Sequence, residues 1–203
     1  IEKLGLHTLV IGHDHRLGKN REGTFDNVVA LSQKLHFGVE KIETFLINDV
    51  DISSSKVRNA LQKGEIEKAN EYLGYNYQLT GTVASGSQIG RNIGFPTANI
   101  VTADFSKLIP DEGVYAVTVS FEGKTYNGML NIGYRPTIDA NADHRTIEVH
   151  IFAFEGDIYQ KEITIKFLKR IRDEKKFASI EDLRLQLIED RKTVESLFPL
   201  PLN

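Results

Sequence analysis

Cysteine and tryptophan are absent from the 203 residues, and methionine occurs once. Without thiols, disulfides and thiolate metal sites are excluded, and a cytoplasmic, reducing setting is expected. No apolar run approaches the ~20 residues of a membrane helix, and no secretory signal segment opens the chain. A basic excess is lacking as well. Residues 1–76 carry ten Lys/Arg against eleven Asp/Glu, the remainder fifteen against seventeen, and the formal net charge is -3. That balance argues against nucleic acid as a partner, while a local basic pocket for a small phosphate ligand stays open. Neither a GxxxxGK[ST] phosphate loop nor a dinucleotide fingerprint occurs.

What is present divides into two halves of different period, with a boundary expected near residues 74–78. Residues 1–76 read as α/β. HTLVIG (7–12) and EKIETFLIND (40–49) look like strands. Between them FDNVVALSQKLHFG (25–38) carries Val28, Val29, Leu31 and Leu35 at helical spacing. A serine of Ser53–Ser55 can cap a helix through VRNALQKG, and EIEKANEYLG suggests another ending at Gly74. From Tyr77 the period becomes two. GVYAVTVSF, TYNGMLNIG, TIEVHIFAF and IYQKEITIKFL follow one another at hairpin spacing, as in a small antiparallel barrel or sandwich. In TIEVHIFAF, Ile147, Val149, Ile151 and Ala153 share one face. A last helix, opened by Ser179 with Asp182 as a capping box, carries Ile180, Leu183, Leu187, Val194 and Leu197 as its apolar stripe. The first residue is an isoleucine inside an α/β pattern, so the chain is expected to begin within a larger protein.

The most informative stretch is GTVASGSQIGRNIGFPTAN (81–99). Gly81, Gly86, Gly90 and Gly94 allow close approach of backbone N–H groups to phosphate oxygens. Arg91 could add a charge-assisted contact. Pro96 stiffens the segment, and in an extended run Thr97 and Asn99 project together. A hydroxyl and an amide oxygen suit a phosphate-bound Mg²⁺ that keeps several waters. The alternative is a glycine-rich hairpin with a threonine and an asparagine in its turns. Glu148, between Ile147 and Val149, could accept a proton from a substrate hydroxyl, or it could be an ordinary outward strand residue. Arg172 in KRIRDEKKF could clamp an anionic or planar ligand, or simply be solvated. His13-Asp14-His15 falls short of a zinc site because no third ligand follows.

These motifs occur in one order: GxVxxGxxxGRxxGFPTAN, GVYAV, NIGYRPT, IEVHIFAF and RIRDEKKF, over about residues 77–198. The order resembles the riboflavin kinase module of bacterial riboflavin kinase/FAD synthetases. The resemblance implies a six-stranded antiparallel barrel with a C-terminal helix, α+β overall, for residues 77–203. It implies transfer of the γ-phosphoryl group of ATP to the 5′-hydroxyl of riboflavin, giving FMN. Thr97 and Asn99 would hold Mg²⁺ and nucleotide, and Glu148 would be the catalytic base. Gly81, Gly86, Gly90 and Arg91 would lie in the nucleotide loop, with Arg172 in a loop closing over flavin. Ser85 departs from the histidine or lysine frequent before the glycine; if that residue helps hold ATP, the departure implies weaker affinity or dependence on another cation.

Residues 10–23 and 52–74 resemble the later part of the FMN adenylyltransferase module of the same proteins, a partial Rossmann-like segment for residues 1–76. Ser53, Ser54 and Arg58 would help hold phosphates, with Asp14, Arg16 and Gly18 in a further loop; an ordinary helix cap is the alternative. That module's HxGH motif occurs nowhere here, so FAD synthesis is expected only of the intact protein. Other readings are a non-catalytic flavin- or nucleotide-binding barrel, and an oligonucleotide-binding barrel that stacks bases on Tyr115, Phe121 and Tyr126.

Overall fold

The computed structural model describes residues 5–12, 16–43, 46–47, 50–86, 89–102, 104, 106–134 and 145–198. Packing divides the chain into Ile1–Ser53 and Ser54–Asn203. In the first unit, β1 (Thr8–Gly12) pairs in parallel with β2 (Gly38–Ile42), joined through α1 (Phe25–Leu35). Thr24 caps α1, its hydroxyl accepting from the Asn27 amide at 3.3 Å. Of the stripe expected on this helix, Val28 is buried, whereas Leu31 and Leu35 are exposed. The expected strand 40–49 is instead the end of β2 and a short hairpin, β3 (Leu46–Ile47) against β4 (Val50–Asp51). His13, Asp14 and His15 lie outside the described residues, as do Arg135, Pro136 and Thr137.

The second unit opens with α2 (Ser54–Gln62) and α3 (Ile66–Leu73). Six strands then close into a barrel: β5 (Gln78–Ala84), β6 (Ala98–Val101), β7 (Gly113–Phe121), β8 (Lys124–Tyr134), β9 (Arg145–Ile151) and β10 (Glu162–Arg172). Their order is β10-β5-β6-β9-β8-β7, every pairing antiparallel. Strict alternation sends Leu79, Val83, Tyr115, Val117, Leu130, Ile132, Val149, Ile165 and Phe167 inward, all essentially solvent-free. Tyr115 packs edge-on to Phe167 at 5.4 Å. The interior is a packed core, not a channel.

α2 and α3 look like part of the α/β half in sequence, yet they pack with the barrel. Ala60, Leu61, Ile66 and Ala69 join its core, and the Asn70 amide donates to the Phe167 carbonyl at 2.9 Å. The packing division therefore falls before α2, earlier in the chain than the change of period.

A second cluster forms on the outside of the barrel, where α5 (Ile180–Glu195) covers Phe95, Ala116, Met129 and Phe152 with Val194, Leu187 and Ile188. Ser179 caps α5 as expected, accepting from the Asp182 amide at 3.1 Å. The expected stripe is only partly buried. Val194 and Leu187 pack inward, but Ile180 and Leu197 face solvent. β9 also ends earlier than the alternation suggests. Phe152 still follows the alternation into the outer cluster, but Ala153 takes a left-handed φ of 49° and Phe154 turns instead to the core at the barrel mouth.

Candidate active site

The outward residues of neighbouring strands line up in one row across five strands. Asn99 of β6 pairs with Glu148 of β9, and Glu148 with Asn131 of β8. Asn131 pairs with Val114 of β7, and Val114 with Arg172 of β10. The register thus brings to one face residues separated by up to 73 positions, from Asn99 to Arg172. Glu148 does point outward from the barrel. That outside is not bulk solvent, because α5 and the segment after β10 wall it in.

A cavity of about 320 Å³ is lined by four residues of this row, Val114, Asn131, Glu148 and Arg172, and not by Asn99. Its lining is largely apolar, with Phe95, Met129, Phe177 and Leu187 around Glu148, Asn131 and Thr97. A second cavity, of about 440 Å³, lies at the barrel mouth against Arg91, Pro96, Asp157 and Tyr159. Thr97 lines both. Its hydroxyl donates to Glu148 Oε2 at 3.2 Å, so the junction of the two cavities carries a hydroxyl and a carboxylate in contact.

The GRNIGFPTAN stretch folds as one helical turn, α4 (Ile89–Asn92), then Gly94 at φ 83°. The Phe95 amide returns to the Gly90 carbonyl at 2.8 Å and its ring is buried, anchoring the turn. A Cβ at Gly90 would overlap the Phe95 carbonyl, and one at Gly86 would overlap the Asn99 carboxamide. Arg91 is exposed on the rim. Gly81 lies within β5 rather than in the loop. A Cβ there would stand 2.7 Å from both Ile100 Cγ2 and the Val101 carbonyl, so this glycine serves close strand packing.

Arg172 is the last residue of β10, not part of a loop, and it lines the smaller cavity. Its guanidinium is bound on both sides of the Asp190 carboxylate, Nε at 2.9 Å from Oδ1 and Nη2 at 2.8 Å from Oδ2. Ser54 opens α2 and Arg58 is exposed on it; neither lines either cavity, and Ser53 lies in the other unit. Of the three aromatics considered for base stacking, Tyr115 is fully buried, and the partly buried Phe121 and Tyr126 stack on each other at 5.3 Å.

Three residues were not singled out by their sequence. His150 is buried and holds the Pro96 carbonyl through Nδ1 at 2.7 Å; burial lowers its pKa. Glu174 keeps solvent contact as a residue, but its carboxylate leans against Gly133 and Asn131, and burial there raises its pKa. Asp190 is 2% exposed and accepts from Arg172 and Gln186. The alternation that exposed Glu148 also put His150 on its face, whereas Asp190 had no local signal beyond a carboxylate amid an amphipathic helix.

Two cavities that share Thr97 in their linings suit a protein that brings two ligands together. The chain belongs to the riboflavin kinase family, whose model matches residues 73–198; the FAD synthetase model matches residues 1–56. It is 38% identical over 199 residues to a bifunctional riboflavin kinase/FMN adenylyltransferase of Haemophilus influenzae, covering 98% of this chain and 63% of the relative. A Bacillus subtilis protein of the same description is 40% identical over 191 residues, covering 93% of this chain and 60% of the relative. A solved structure described as a macrolide-efflux protein from Streptococcus pneumoniae superposes with a TM-score of 0.82 at 31% identity, over 92% of this chain and 60% of that one. The chain therefore spans somewhat under two thirds of the length of these relatives.

Proposed function

We propose that residues 77–203 are a riboflavin kinase, transferring the γ-phosphoryl group of ATP to the 5′-hydroxyl of riboflavin to give FMN and ADP. The observation that carries this reading is Thr97, shared by both cavities and hydrogen-bonded to Glu148 at their junction. The more polar cavity, with Arg91 on its rim and Gly156 in its wall, takes the nucleotide. The apolar cavity takes the flavin, its hydroxyl-bearing chain reaching Glu148. Glu148 accepts the 5′-hydroxyl proton as the oxygen bonds to phosphorus and the bond to the bridging oxygen breaks, the electron pair leaving with ADP.

Phosphoryl transfer of this kind uses a divalent metal, and Mg²⁺ fits the donors present. Among the described residues no group of three or more His, Asp or Glu side chains forms a metal cage. Instead the Thr97 hydroxyl and Asn99 carboxamide lie two residues apart, neutral oxygen donors for an ion otherwise held by phosphates and water. When bound, Mg²⁺ would neutralise phosphate charge. Thr97 and Asn99 orient the nucleotide, Gly86 leaves room for the Asn99 amide, and the apolar lining excludes water.

In this reading residues 1–76 are part of an adenylyltransferase module, Ser53, Ser54 and Arg58 serve phosphate binding there, and the protein acts in the cytoplasm. The efflux description of the pneumococcal structure is not transferred, because the barrel interior is filled with side chains. The test is incubation with riboflavin, ATP and Mg²⁺, with FMN read by chromatography. Saturable flavin binding without FMN would replace the kinase by a carrier. FAD formed from FMN at a normal rate by these 203 residues would overturn the assignment of kinase activity alone.

A further inference from the structure

β9 grips the chain ahead of β6 at two adjacent points. The backbone ladder between the two strands covers Ala98↔Val149 and Asn99↔Glu148. Two residues before the ladder, Pro96 has no amide hydrogen to offer it. Side chains of β9 continue it. Glu148 Oε2 accepts from the Thr97 hydroxyl at 3.2 Å, and two residues on, from the same face, His150 Nδ1 meets the Pro96 carbonyl at 2.7 Å. A carbonyl only accepts, so Nδ1 carries the hydrogen and the tautomer is set. The imidazole is clamped edge-on to Phe95 at 5.3 Å and tilted against Phe152 at 5.6 Å, and is 7% exposed. A ring so held has one orientation, and it fixes the peptide whose next residue is Thr97.

We propose that His150 is a positioning residue for the nucleotide–metal side of the site: its Nδ1–H fixes the Pro96–Thr97 peptide and thereby aims the Thr97 hydroxyl. The inference rests on the kinase reading above and deepens it, by separating a residue that sets Thr97 from one that touches flavin. His150 also borders the apolar cavity, so a role in flavin contact is the competing explanation, and the two predict different kinetic signatures.

The experiment compares three variants of the whole chain. His150→Phe keeps the ring packing and removes the donor. His150→Asn places an amide donor near the position of Nδ1, whereas His150→Gln places it near Nε2. The expected result is a KM for ATP and a half-saturating Mg²⁺ concentration raised about tenfold in the Phe and Gln variants. The KM for riboflavin should stay within about twofold, and Asn should restore most of the loss. Equal behaviour of Asn and Gln, or a shift confined to riboflavin, overturns the proposal. The Asn–Gln contrast decides the matter even if the Phe variant fails to fold. Should the wild-type protein form no FMN, the kinase reading falls by itself. The same ranking is then read as Mg·ADP affinity by calorimetry, and absence of wild-type Mg·ADP binding removes both.

Discussion

Arg172 at the end of β10 and Asp190 on α5 form a two-point ion pair, with Nε and Nη2 of the guanidinium on both carboxylate oxygens. Asp190 is almost completely buried and the Arg172 side chain is 19% exposed. The pair pins the helix that roofs the smaller cavity. Asp190→Ala should remove about 3 kcal/mol of stability, because a buried guanidinium is left without its counterion. Thermal denaturation should show a midpoint lower by roughly 6–12 °C. A joint replacement by Met and Leu should recover much of it. An Asp190→Ala protein with unchanged melting but lost flavin binding would instead make Arg172 a ligand clamp.

Glu148 is the proposed base, and Glu148→Gln keeps an oxygen and an amide where the carboxylate stood. Turnover should fall about 10²- to 10⁴-fold while riboflavin binding, followed by quenching of flavin fluorescence, persists. Retained turnover would free Glu148 from that role.

Much of the fold was legible because alternation and capping are local. Ser179 before α5 and the inward Ile147, Val149 and Ile151 of β9 needed only their neighbours in sequence, whereas Ala153, expected on the same face, is exposed. The outer row was not legible as a row, since Asn99, Glu148, Asn131, Val114 and Arg172 meet only through register, and register shifts in β10 at 167–169 and 170–172 intervene. The stripe on α5 was misread for a related reason. Asp190 turns inward to a partner 18 residues away, Arg172, while Ile180 at the helix start is exposed.

Gly81 and Gly86 stand five residues apart and should fail differently. Gly81→Ala puts a methyl 2.7 Å from Ile100 Cγ2 and the Val101 carbonyl, inside the barrel wall, and should destabilise the fold by about 1–3 kcal/mol. Gly86→Ala overlaps only the Asn99 carboxamide, a side chain that can swing away. Its melting should change little while the KM for ATP rises about tenfold. Calorimetric melting and steady-state kinetics on both variants check the contrast; a Gly86 variant impaired only in stability would remove Asn99 from the nucleotide site.

Glu174 provides a pH test. Burial, the largest influence, lifts its pKa above the ordinary 4.5; Arg172 and the Asn131 amide oppose the rise, while Glu112 and Glu148 add to it. The folded protein therefore holds this proton more tightly than the unfolded chain does. The stability linked to the group is fully present below about pH 4.5 and is lost as pH rises through the folded value. Glu174→Gln removes that loss. Urea midpoints of the variant should gain on those of the wild type as pH rises above about 4.5, the difference levelling off once the wild-type carboxyl is ionised. A difference that is flat across this range, or that shrinks as pH rises, would show that the Glu174 carboxylate is stabilised by Arg172 and Asn131 rather than strained by burial.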